Sequence, residues 1–145
     1  MEDAQSSHVQ GGQVAIRRLL WAGPLAAILA AVANTVVYFV AYRLGAMPRD
    51  VAVQGSGPIT LEPVVFASVI GAVGAAVVFA SVALLARRRP VRTFSVVAAV
   101  VLVLSFYTPF TIPGAPVAMV ATLLLMHVVA AVVIAGVLAR LAHAR

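Results

Sequence analysis

Four apolar runs, each ended by arginine, proline or glycine, constrain this chain more than any other feature. The first, residues 19–41, is 23 residues long; as a helix it measures about 34 Å at ~1.5 Å per residue, enough for a hydrocarbon core of about 30 Å. Runs of similar character cover 61–86 and 117–139. The run at 93–108 is shorter, about 24 Å as a helix, and crosses the core only if Phe110 and Ile112 also lie in the bilayer. Composition closes off the soluble alternative. Hydrophobic residues make up 63% and charged residues 10% of the 145, against about 45–50% and about 25% in soluble domains. No compact fold of this size could hide so much apolar surface from water. The expected fold class is all-α: an integral membrane, four-helix transmembrane bundle formed by residues 17–145. Residues 1–16 are polar and lack apolar periodicity, so they are expected to form a disordered cytoplasmic tail.

The breaks between the runs set an expected orientation. All ten basic residues are arginine. Arg17 and Arg18 precede the first run, Arg87, Arg88, Arg89 and Arg92 separate the second from the third, and Arg140 and Arg145 follow the fourth. The opposite side has only Arg43 and Arg49. Positive charge accumulates on cytoplasmic loops, so both termini are expected in the cytoplasm and the first and third connections outside. The arginines end apolar runs and carry no interleaved aromatics, which speaks against nucleic acid as a partner. The bilayer is the expected partner, with a homo-oligomer or another membrane protein as further possibilities. Absence of cysteine excludes disulfides, thiol chemistry and cysteine-ligated metals. Arg17-Arg18, an apolar stretch and Ala31-Val32-Ala33 imitate a cleavable signal. The apolar run continues through Val36-Val37-Tyr38-Phe39-Val40, so an uncleaved anchor is expected.

Small residues recur every four positions and therefore share helix faces. The rows are Ala22, Ala26, Ala30, Asn34 and Gly23, Ala27, Ala31, Thr35 in the first run. In the second they are Ala67, Gly71, Ala75 and Ser68, Ala72, Ala76, Ala80. The fourth has His127, Ala131, Ala135, Ala139. Such rows let helix backbones approach closely, and the Gly71 row stands out as the expected packing seam.

Three polar residues inside the runs, Asn34, Ser105 and His127, form a candidate intramembrane polar site. A polar group at that depth faces other helices and either makes an interhelical hydrogen bond or works on a ligand. The simpler expectation is structural. A neutral His127 has one donor and one acceptor, and Asn34, Ser105 or a tyrosine hydroxyl could meet it. No second histidine, carboxylate or cysteine stands at ligand spacing, so no metal or other cofactor is expected. Glu62 is the only acid beside a run. It suits the first turn of a helix as a dipole-matched charge at the outer interface, or serves as an access point for a cation or a partner for Arg43 or Arg49. Motifs for metallopeptidases, phosphate-binding loops and nucleophile–histidine–acid sets are missing, so no enzyme is expected.

The order of an arginine hairpin, VVAAVVLVLSFYTPF, a short loop and LLLMHVVAAVVIAGVLAR resembles a family of small four-span actinobacterial membrane proteins classed as a domain of unknown function. The resemblance covers about Arg17 to Arg140, and its motif positions correspond to Ser105, Pro109, Met126 and His127. It implies a four-span fold in a bacterial plasma membrane and supplies no activity. Four-helix multidrug transporters are similar in size and helix count, but they depend on a carboxylate in the first span where this chain offers Asn34. Two functions are therefore expected: a non-enzymatic scaffold or accessory subunit, and as the alternative a small oligomeric transporter or pore using the polar positions. A water-filled cavity reaching His127 would favour the second, a dry and fully packed bundle the first.

Overall fold

The computed structural model describes the backbone of residues 2–49, 51–53, 57–85 and 90–143, and side chains within 20–49, 57–85 and 90–141 and at Val51. Its elements in chain order are α1 (Glu2–Arg43), β1 (Ala52–Val53), β2 (Gly57–Pro58), α2 (Leu61–Leu85), α3 (Pro90–Ser105), α4 (Tyr107–Phe110) and α5 (Val117–His143). Among the described residues, four segments are long and apolar enough to cross a membrane: Leu20–Arg43, Leu61–Leu85, Pro90–Phe110 and Val117–Leu141. Large side chains such as Ile28, Val36, Phe66, Val77, Val100, Leu104 and Val132 point outward along all four. That arrangement suits a lipid environment, since hydrocarbon favours apolar side chains outside and backbone polar groups satisfied within each helix. The all-α, four-span integral membrane fold is as expected.

Boundaries differ at the starts of α1 and α3. α1 begins at Glu2 and not near Leu19, so the polar segment expected to be disordered is helical. The physical reason is that propagation from an existing helix requires no new nucleus. The same extension places Pro24 inside the helix rather than in its first turns, a position tolerated where neighbouring groups make up the lost donor. α3 starts at Pro90, so Arg92, placed in the hairpin by the sequence, is helical. Proline suits a first helical position because its φ is preset and its missing donor would be unpaired anyway. Arg87, Arg88, Arg89 and Arg145 lie outside the described residues.

The third span acquires sufficient length through a break. α3 ends at Ser105 and a single further turn, α4, carries the chain to Phe110, giving about 31 Å in all. Pro109 has no N–H to offer the Ser105 carbonyl. The Thr108 hydroxyl donates to that carbonyl instead, at 2.8 Å. Thr111 repeats the device on Thr108, with its hydroxyl at 2.8 Å and its N–H at 3.1 Å. Hydroxyls elsewhere are likewise satisfied inside their own helix: Ser68, Ser81, Ser95 and Thr122 each donate to the carbonyl four residues back.

α1 packs along both α2 and α5, whereas α3 touches α2 and α5 only lightly and makes no contact with α1 among the described residues. Side-chain size explains the difference. Ala22, Ala26, Ala30 and Asn34 are all buried in one row of α1, and a Cβ on Gly23 would meet the Ala76 Cβ at 3.4 Å. α2 answers with Ser68 and Ala72, both buried. Such small-on-small contact brings backbones together and maximises dispersion. α3 presents mainly valine and leucine, and only 11% of its span is buried against 33% for α1.

At the end where α1 leads to α2, the helix stops in a Schellman arrangement. Gly45 takes φ +74°, its N–H donates to the Tyr42 carbonyl at 3.1 Å, and the Ala46 N–H reaches back to Ala41 at 2.9 Å. The following connection folds over this end of the bundle. Met47 and Met119 are buried with Ala41 beneath it, the Tyr38 hydroxyl donates to the Ile59 carbonyl at 3.4 Å, and β1 pairs antiparallel with β2.

Candidate functional site

A cavity of about 660 Å³ lies between α2, α3 and α5, with Asn34 of α1 in its wall. Its walls are mostly alanine, glycine and valine. α2 contributes Ala67, Ser68, Gly71, Gly74 and Ala75; α5 contributes Met126, His127, Ala130, Ala131 and Ala135; α3 contributes Val97, Ala98, Val101 and Ser105. On α2 the lining runs from Pro63 to Val78, about 22 Å along the helix axis. The cavity is therefore long and narrow. Gly57, Pro58 and Ile59 cover one end. At the other stands Phe94, 1% exposed, held edge-to-face on Phe79 with ring centroids 5.0 Å apart. Ala67, Gly71 and Gly74 of α2 and Val101 of α3 are exposed along it, so the seam between these two helices stays open.

The cavity exists because two small-residue rows, one on α2 and one on α5, are only partly covered by their neighbours. The Gly71 row is the packing seam that the sequence singles out. The structure reverses this: a Cβ on Gly71 or Gly74 would meet nothing within 4 Å. The neighbouring Ser68–Ala72 row carries the contact with α1 instead. On α5, His127, Ala131 and Ala135 face the same space. Bulky α3 cannot close onto either row, and the volume left over is the cavity.

All three sequence-selected polar residues line this cavity, but their hydrogen bonds differ from those expected. Asn34 does not meet His127. Its Nδ2 donates to the Ser68 Oγ at 3.0 Å, and Ser68 passes its own proton to the Val64 carbonyl at 2.8 Å. His127 bonds within its own helix, Nδ1 lying 2.7 Å from the Leu123 carbonyl. Ser105 also turns inward to its helix, donating to the Leu102 carbonyl at 2.7 Å. α1 and α5 are neighbours, as a histidine–asparagine bond would require. Ser68, however, sits on the row that packs against Asn34 and takes its donor. Asn34 Oδ1 is left buried with no hydrogen-bond partner. The serine in the Ser68 row was the one sequence signal for this partner.

Glu62 is apart from the cavity. It is exposed in the first turn of α2, the place favoured by the helix dipole. Arg49 does not pair with it; the guanidinium lies 5.2 Å from the Tyr42 ring centroid, and Tyr42 in turn stacks on Tyr38. Arg43, Arg92 and Arg140 are exposed at helix ends.

Fold and site together define a four-span helical membrane protein with an apolar internal cavity and a few polar atoms in its wall. The chain belongs to the family of unknown function DUF6069, whose model matches residues 14–144. Comparison with curated proteins and with solved structures finds no match. Of the four motif positions that carried the resemblance, Ser105, Met126 and His127 line the cavity, while Pro109 is buried at the α3–α4 break.

Proposed function

We propose that this protein is a non-enzymatic membrane protein that binds a lipid-soluble guest in its internal cavity, as a small carrier or as the accessory subunit that holds the guest for another protein. The observation that supports this reading most directly is the cavity of about 660 Å³ reaching Asn34 and His127. Its size falls within the ~300–1,000 Å³ typical of small-molecule sites, which are also mainly apolar with a few placed polar groups. A purely structural bundle gains from filling such a space, since an empty cavity forfeits dispersion contacts. Closure at both ends, by Phe94 and the Gly57–Ile59 segment, favours a guest arriving sideways from the bilayer over an aqueous pore. The arginine distribution supports both termini lying in the cytoplasm, and the family resemblance supports a bacterial plasma membrane.

Mass spectrometry of the protein purified from its own membranes tests the binding reading. Wild type should retain a lipophilic species near one per chain. Gly71→Phe, which projects a ring into the open space beside Gly71, should lose it while remaining folded. Retention of nothing by wild type, or equal retention by Gly71→Phe, would count against it.

A further inference from the structure

The hydrogen-bond pattern around the cavity limits the chemistry of its guest. Ser68 and Ser105 have given their single protons to the carbonyls of Val64 and Leu102, so both can only accept. His127 Nδ1 faces a carbonyl, which can only accept, so that nitrogen carries the ring's proton. In the neutral imidazole Nε2 is then an acceptor. The committed Ser68 proton also fixes the Asn34 amide. An oxygen that has already donated must receive from the Nδ2 side, which leaves Oδ1 as a buried acceptor in a residue only 5% exposed. Among the described residues the side chains of the wall therefore offer mainly acceptors, with the second N–H of Asn34 as an uncommitted donor. Among the described residues, no acid, arginine or lysine lines it.

Resting on the binding reading above, we infer that the guest is a neutral lipid-soluble alcohol, its hydroxyl held near Asn34 and His127 and its chain lying in the apolar trough. A hydroxyl gives its proton to an acceptor and receives the Asn34 N–H, matching the wall on both counts. A carboxylate is acceptor-only and meets other acceptors in a setting of low dielectric, where unpaired charge is costly. An alkane fills the same volume and makes no hydrogen bond to the Nε2 acceptor of His127. The long narrow shape selects a chain; the acceptors select its end.

The test uses the full chain in nanodiscs and three chain-matched diazirine probes: a long-chain primary alcohol, the alkane and the carboxylate. Labelled peptides are identified by mass spectrometry. At equal membrane concentration the alcohol should label the α2 and α5 walls about tenfold more than either of the others, as expected for one to two net hydrogen bonds. Asn34→Leu and His127→Phe should each bring the alcohol-to-alkane ratio towards one. Equal labelling of wild type by alcohol and alkane would overturn the inference while leaving an apolar guest in place, and preference for the carboxylate would overturn it outright. Failure of all three to label the walls would remove the binding reading as well.

Discussion

Asn34 and Ser68, 34 positions apart, are joined by a 3.0 Å hydrogen bond from Nδ2 to Oγ at the α1–α2 contact. It is a buried side-chain bond between two spans, and it sits where small-residue packing ends and the cavity begins. Nδ2 of Asn34 thus ties the helices together, while its Oδ1 is buried without a hydrogen-bond partner.

This bond should be detectable energetically. Ser68→Ala leaves the Asn34 amide unpaired and should destabilise the folded protein by about 1 kcal/mol, with a coupling to Asn34→Leu of about 0.6 kcal/mol in a double-mutant cycle. His127→Leu should show no coupling to Asn34, because its imidazole bonds within α5. Reversible unfolding in mixed detergent measures all three, and strong His127–Asn34 coupling would contradict the observed pairing.

The glycines should separate by surroundings. Gly71→Ala meets open space and should be neutral or stabilising by up to about 1 kcal/mol through helix propensity. Gly23→Leu must displace the α1–α2 contact, where even a Cβ already lies 3.4 Å from Ala76, and should destabilise by about 1–3 kcal/mol. Thermal melts of the two variants give the comparison. If Gly71→Ala proved the more damaging, the assignment of the packing seam to Gly23 would be wrong.

Thr108 and Pro109 should be interdependent. Thr108→Val removes the hydroxyl that satisfies the Ser105 carbonyl and should cost about 1 kcal/mol. In a Pro109→Ala background an N–H becomes available to that carbonyl, and the cost of Thr108→Val should fall to near zero. Additive effects in the cycle would mean that the hydroxyl does not replace the missing donor.

Orientation can be read by cysteine labelling, since the native chain has no thiols. Single cysteines at Thr60 and Thr111 should react with an impermeant maleimide on intact cells; cysteines at Ser7 and Thr93 should react only after lysis. The reverse pattern would show that the arginine bias does not set the topology.

Four spans, their approximate limits and the depth of Asn34, Ser105 and His127 follow from sequence, because lipid imposes a one-dimensional rule: each crossing needs about 20 apolar residues and breaks must be polar or helix-ending. Gly45 after α1 and Pro90 at the start of α3 are local signals of the same kind. Which small-residue row packs and which stays open is a different matter. The rows headed by Ser68 and by Ala67 lie side by side on α2 with nearly the same composition, yet one is pressed against α1 and the other is open at Gly71. That choice depends on how closely α3 can approach, and therefore on valines and leucines of a helix distant in the chain. The same holds for the partner of Asn34. A four-residue period tells which residues share a face, but only the packed helices decide that the face meets Ser68 and that His127 turns back to Leu123.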